Sequence, residues 1–190
     1  MHIWAVAVAL LFMLSGCSSP WSVDTGSDDI ESYTATSHGG ESMASLTISS
    51  PSFGEQEHIP EKYSCKGDDI NPELHIDDVP EGTKSLVLIM DDPDAPSGTF
   101  DHWILFDILP DKLVIGEDSV PSGAKQGRNS FGNNSYGGPC PPSGTHRYQF
   151  KLYAVDTTLD LPDGTTKDDV LALIDGHVLE EDMLTGLFSK

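Results

Sequence analysis

The sequence predicts a mainly β domain, a sandwich or a barrel, and three observations support this. Apolar residues fall in short runs of strand length: Leu46-Thr47-Ile48, Leu74-His75-Ile76, Ser85 to Met90, His102 to Ile108 and Arg147 to Val155. Gly, Pro, Ser and Asp clusters punctuate the intervals between them. A helix start signal stands only near the end of the chain. The 190 residues, 37% of them hydrophobic, suffice for one core and not comfortably for two.

Taken in order, Trp4 to Leu14 is an unbroken apolar run, shorter than the roughly 20 residues of a bilayer-spanning helix. It ends in Leu14-Ser15-Gly16-Cys17 and reads as an export signal over residues 1–17. Leu-Ser-Gly-Cys resembles the lipobox of prokaryotic lipoproteins, which implies an acylated Cys17 and a lipid anchor on the outer face of the cell membrane or on another envelope membrane. An ordinary cleaved signal or a buried strand is the alternative, since no basic residue precedes the run and the first in the chain is Lys62. Residues 18–45 are rich in Ser, Thr, Gly and Asp and cannot bury enough surface to offset their ordering entropy, so they read as a disordered tether. The folded domain is expected over residues 46–190.

Within that domain, Ser85 to Met90 is continuously apolar, as suits a central strand buried on both faces. Ile59 to Gly67 reads as a loop. Thr166-Lys167-Asp168-Asp169 sets a hydroxyl three residues ahead of a carboxylate, a capping-box-like start to a helix through Ile174 that Gly176 ends. Val178 to Phe188 is read as a second helix or a turn. On such a helix, His177 with Glu180 or Glu181 would be half a metal site lacking its other ligands, and an ordinary helix surface explains it better.

Ten basic residues stand against 31 acidic ones, a net charge of -21, so nucleic acid and anionic surfaces are disfavoured as partners and any anionic ligand must be held locally. Two segments have the residues to do so. The first is Asp91-Asp92-Pro93-Asp94-Ala95-Pro96-Ser97-Gly98, followed by His102-Trp103. The second is Gly137-Gly138-Pro139-Cys140-Pro141-Pro142-Ser143-Gly144-Thr145-His146-Arg147-Tyr148. Its prolines have fixed φ and no N–H while its glycines adopt conformations others resist, so it is either an anion-cradling lip or a stiff turn.

Strand alternation then puts His146 and Tyr148 on one face with Phe150 and Leu152, and Arg147 on the other, where an ion pair suits it. The same alternation puts His102 with Ile104 and Phe106. Asp92 would accept an N–H from a histidine, fixing its tautomer and favouring the imidazolium, while Asp94 and Asp101 would cap turns. A calcium loop fits poorly, because Pro96 and Gly98 fall where ligands are required. No metal or other cofactor is expected. Asn133-Asn134-Ser135 matches a glycosylation sequon, a pattern frequent by chance.

These two segments, in this order, resemble the phosphatidylethanolamine-binding protein family, in particular its bacterial and archaeal Raf-kinase-inhibitor-like branch. The likeness extends from about Leu46 to the C-terminus, through Leu152-Tyr153-Ala154-Val155-Asp156 and Gly176-His177-Val178-Leu179. It implies an antiparallel, Greek-key β-sandwich with short peripheral and C-terminal helices, and a small pocket for phosphate-like or carboxylate anions. The pocket residues carried over are Asp92, His102, His146 and Tyr148, with Cys140, Pro141 and Pro142 as the wall. Cys140 stands where eukaryotic members often have glycine, and the loop down to His146 is shorter. With Cys17 set aside, Cys65 and Cys140 are either bridged or free thiols.

The function expected is a surface-anchored, non-enzymatic binding domain for a small anion such as a phosphorylated headgroup. An inhibitor or regulator of an extracellular protease or other partner protein, using the pocket rim, is the alternative. A hydrolase is less favoured, since no Gly-x-Ser-x-Gly or His-Glu-x-x-His motif marks a nucleophile or metal set.

Overall fold

A computed structural model describes residues 45–190, so the apolar run, Cys17 and nearly all of the tether lie outside the described residues. Its elements are β1 (Thr47–Ser49), β2 (Glu57–His58), a 3-10 turn (Glu61–Tyr63), β3 (Leu74–Asp77), β4 (Ser85–Asp92), β5 (Phe100–Ile108), β6 (Val114–Ile115), β7 (Lys125–Gln126), β8 (Thr145–Val155), α1 (Lys167–Ile174) and β9 (Val178–Ser189). A small sheet runs β1-β3-β6 and a large one β2-β9-β8-β4-β5-β7. Every pairing is antiparallel except that of β2 with β9, a departure from the antiparallel expectation.

β4 shows why the molecule is mainly β. Flanked by β5 and β8, it is buried at every position. Its Leu86, Leu88 and Met90 face the main core, which Ile48, Leu74, Ile76 and Ile115 of the small sheet share. Val87 and Ile89 face the other way and pack with Ile104 and Phe106 beneath Val170 and Ile174 of α1. Covered on both sides, such a strand is apolar throughout instead of alternating. The Thr166 side chain accepts the Asp169 N–H and its hydroxyl donates to the Asp169 carboxylate, and Gly176 turns the chain away at φ +78°.

Beyond Gly176 the expected second helix is a strand. β9 pairs with β8 from Val178 to Ser189, so the only α-helix among the described residues is α1. Glu180-Glu181-Asp182 hides this, because alternation there is between two kinds of polar position. Glu180 and Asp182 share the inward face with Leu184 and Phe188, and their carboxylates accept the N–H groups of Leu46 and Ile48. β1 is thereby fastened by side chains along the edge that no strand pairs. His177 is on no helix and makes no metal pair with Glu180 or Glu181; its ring lies 2.7 Å from the Asp156 carboxylate.

Candidate functional site

β4, β5 and β8 are adjacent and antiparallel, so Asp92 at the end of β4, Phe100 at the start of β5 and Thr145 at the start of β8 meet at one end of the large sheet. The two motif segments are therefore neighbours. Between them opens a cavity of about 360 Å³. Asp92, His102, Cys140 and Pro142 line it, together with Ala95 to Gly98 and two rings, Phe100 and Phe131. A larger cavity of about 470 Å³ lies elsewhere, but its charged lining is Asp68, Asp69 and Asp118 with no Lys, Arg or His, which repels an anion.

Consecutive residues of β8 clamp the first segment. His146 Nδ1 lies 2.7 Å from Asp92 Oδ2, while Asp92 Oδ1 accepts the Asp94 N–H at 2.8 Å. Arg147, pointing to the other face, donates from Nε and Nη2 to Asp94 at 2.9 and 2.7 Å and adds its backbone N–H. These Arg147 hydrogen bonds pull the Asp94 carboxyl down to about 2. Asp94 is thus an ion-pair partner in place of the turn cap expected. Asp101 likewise pairs with Lys167 of α1.

His102 is not on the face that simple alternation assigned to it. Met90 pairs with Trp103 but Asp91 pairs with Asp101, so His102 is the extra residue of a β-bulge. The bulge turns His102 away from Ile104 and Phe106 and sets it edge-on to Tyr148, 5.2 Å between ring centres. Its Nδ1, 2.7 Å from the Gly137 carbonyl, carries the proton of that bond. Burial pushes the His102 pKa below the ordinary histidine value, with the Gly137 carbonyl and the Asp92 charge offsetting part of the effect.

Tyr148 is fully buried and its Oη makes no well-formed hydrogen bond, the Cys140 amide being the one polar group of the lip close enough to act on it. Burial, then the Asp92 charge, pushes the phenol well above its usual range, with the Cys140 N–H partly opposing. His146, Tyr148 and Pro141 are buried and do not line the cavity; His146 touches it through Asp92 and Tyr148 through His102.

The lip is stapled to the 3-10 turn region. Cys65 and Cys140 are bridged, with Cα atoms 5.5 Å apart. The Cys65 N–H donates to the Pro139 carbonyl and Tyr136 Oη to that of Tyr63. Gly138 is forced by this approach, because a Cβ there would lie 2.3 Å from the Tyr63 carbonyl oxygen. The expected cradle of lip N–H groups is not formed by the glycines: Gly137 donates to the His102 carbonyl and Gly138 to Asp69.

The sequence reading missed the aromatic wall. Phe100 precedes the bulged His102 by two residues, so its direction was hidden with that of the histidine. Phe131 is a single ring in a stretch of Asn, Ser and Gly, and only that isolation marks it. No group of three or more His, Cys, Asp or Glu side chains among the described residues is placed to hold a metal ion.

Comparison with known proteins accords with this geometry. The family model described as phosphatidylethanolamine-binding protein matches residues 49–189. A protein of Methanothermobacter thermautotrophicus named only UPF0098 protein is 47% identical over 150 residues, 76% of this chain and 99% of that one. That relative is almost nothing but this domain, which in it stands alone. A crystal structure titled as a phosphatidylethanolamine-binding protein homolog of Chlamydia trachomatis superposes with a TM-score of 0.74 at 39% identity, covering 77% of this chain and 98% of that one. E. coli YbcL, titled a new member of the mammalian family, gives 0.73 at 29%, over 77% and 99%. The chain belongs to the phosphatidylethanolamine-binding protein family.

Proposed function

We propose that this is a non-enzymatic binding domain, exported and held to a membrane by a lipid on Cys17, whose pocket takes a small phosphate-like anion. The observation that carries the pocket reading is the unpartnered hydroxyl of Tyr148, buried against His102 and close to Asp92. A buried polar group left without a partner is destabilising by about 1–3 kcal/mol, and a ligand oxygen that reached the hydroxyl past Asp92 and His102 would relieve it. Among the described residues neither His102 nor His146 uses its Nε2 in a hydrogen bond. His102 has Nδ1 committed to a carbonyl, so its protonation puts a new N–H on Nε2, where an anion in the cavity can accept it, while His146 holds the Asp92 carboxylate in place. The family name adds support for a phosphate-ester headgroup as ligand. For the anchor, the support is the apolar run ending in Leu14-Ser15-Gly16-Cys17.

The sign of the pH dependence follows from His102. Its pKa in the free protein is depressed by burial, and a bound anion raises it. Between those two values binding takes up a proton, so affinity falls as pH rises from the free-state value to the bound-state value and levels off above it. Calorimetric titration of residues 45–190 with phosphate and phosphoethanolamine at pH 6 and 8 tests this, with His146→Ala as the control. Binding that weakens toward pH 8 and is lost in the variant is expected. Affinity unchanged across that interval, or intact in His146→Ala, would remove histidines from the site.

A further inference from the structure

The anion reading accounts for the polar lining of the cavity, Asp92 and His102, and leaves its aromatic wall unexplained. Phe131 is 48% exposed, in a loop otherwise built of Asn, Ser and Gly, where a ring gains little from folding. Yet it is held firmly. Its ring stands edge-on to Phe100 at 4.8 Å and to His102 at 5.5 Å. The backbone of Gly137 passes beneath it so closely that a Cβ there would lie 2.7 Å from two ring carbons. The bare glycine is what makes room for the ring beside the cavity.

We propose, building on the anion reading, that the pocket takes a phosphate-like monoester whose organic group is flat and apolar, an aryl phosphate being the type, and that Phe131 selects for it. Size is the first argument. A phosphate has about the bulk of two or three waters at ~30 Å³ each, and leaves most of a 360 Å³ cavity unfilled. Lining chemistry is the second: Ala95, Pro96, Phe100, Phe131 and Pro142 present apolar surface, and the two rings among them favour another ring as a neighbour. Charge is the third. An ammonium substituent finds no free carboxylate, because Asp92 is engaged by His146 and the Asp94 amide, and Asp94 by Arg147.

The test is calorimetric titration of residues 45–190, disulfide intact, with inorganic phosphate, phenyl phosphate and phosphoethanolamine, in the native domain, Phe131→Ala and Phe131→Leu. In the native domain phenyl phosphate is expected to bind about tenfold more tightly than phosphate, with phosphoethanolamine close to phosphate. That ratio should shrink to about twofold in Phe131→Ala, and fall between the two in Phe131→Leu, which keeps apolar bulk against Gly137 without the ring. Equal native affinity for phosphate and phenyl phosphate would overturn the proposal while leaving the anion site standing. So would an aryl preference that survives Phe131→Ala, or phosphoethanolamine binding most tightly. If neither phosphate nor phenyl phosphate binds, the anion reading fails and this one with it.

Discussion

Tyr148 concentrates the tension between stability and binding in one atom. Its ring fills the core with Phe150 and Trp103, but its hydroxyl has no partner among the described residues. Tyr148→Phe keeps the packing and removes the unsatisfied group, so urea unfolding should show a domain more stable by about 1 kcal/mol. The same variant should bind phosphate more weakly in the titration above. A loss of stability instead would mean that the hydroxyl is already paired. His102 teaches the complementary lesson about legibility. The sequence marks it as a site residue through its place after Asp92-Pro93-Asp94, yet alternation sends it to the wrong face. A bulge is one extra residue in one strand, decided by how β4 and β5 pair across the sheet, and the strand's own composition carries no trace of it.

At the scale of elements, the lip from Gly137 to Gly144 is shaped by what it is tied to. The Cys65–Cys140 bridge spans 75 residues, and both cysteines are exposed, within reach of a soluble reductant. In the chain-entropy model such a cross-link contributes about 4 kcal/mol. Cys140→Ser should therefore lower the free energy of urea unfolding by as much as that, and a reductant should bring the native domain to the same value. An unfolding curve indifferent to both changes would show that the lip's hydrogen bonds hold it unaided. β9 was misread for a different reason. Its first half carries charge on both faces, so no apolar period announces a strand, and the inward Glu180 and Asp182 make sense only against the amides of β1.

For the whole molecule, charge and the proposed attachment are the relevant matters. A net charge of -21 repels anions at long range, so a site for one depends on its few buried donors and not on the general field. On the proposed anchoring, a lipid on Cys17 would keep the domain near a membrane whose anionic surface does not itself attract it. If Cys17 carries the lipid, the full chain expressed with its own leader in a bacterial host should fractionate with membranes, and Cys17→Ser should move it to the soluble or secreted fraction. Membrane association unchanged by that substitution would point to retention of the apolar run itself.

What the sequence determined by itself were the properties that local chemistry carries: mainly β character, the buried central strand, the capped helix, and two stiff segments rich in site-forming side chains. Periodicity, proline and glycine act within a few residues, so they can be read without the fold. What the tertiary structure alone decided was which groups meet. Whereas one pocket built from both segments was already expected from the sequence, the fold bridged Cys65 to Cys140, turned His102 toward Tyr148 through a bulge, and set Phe131 beside the cavity. Those outcomes depend on pairing register and on contacts between residues far apart in sequence, which no local pattern encodes.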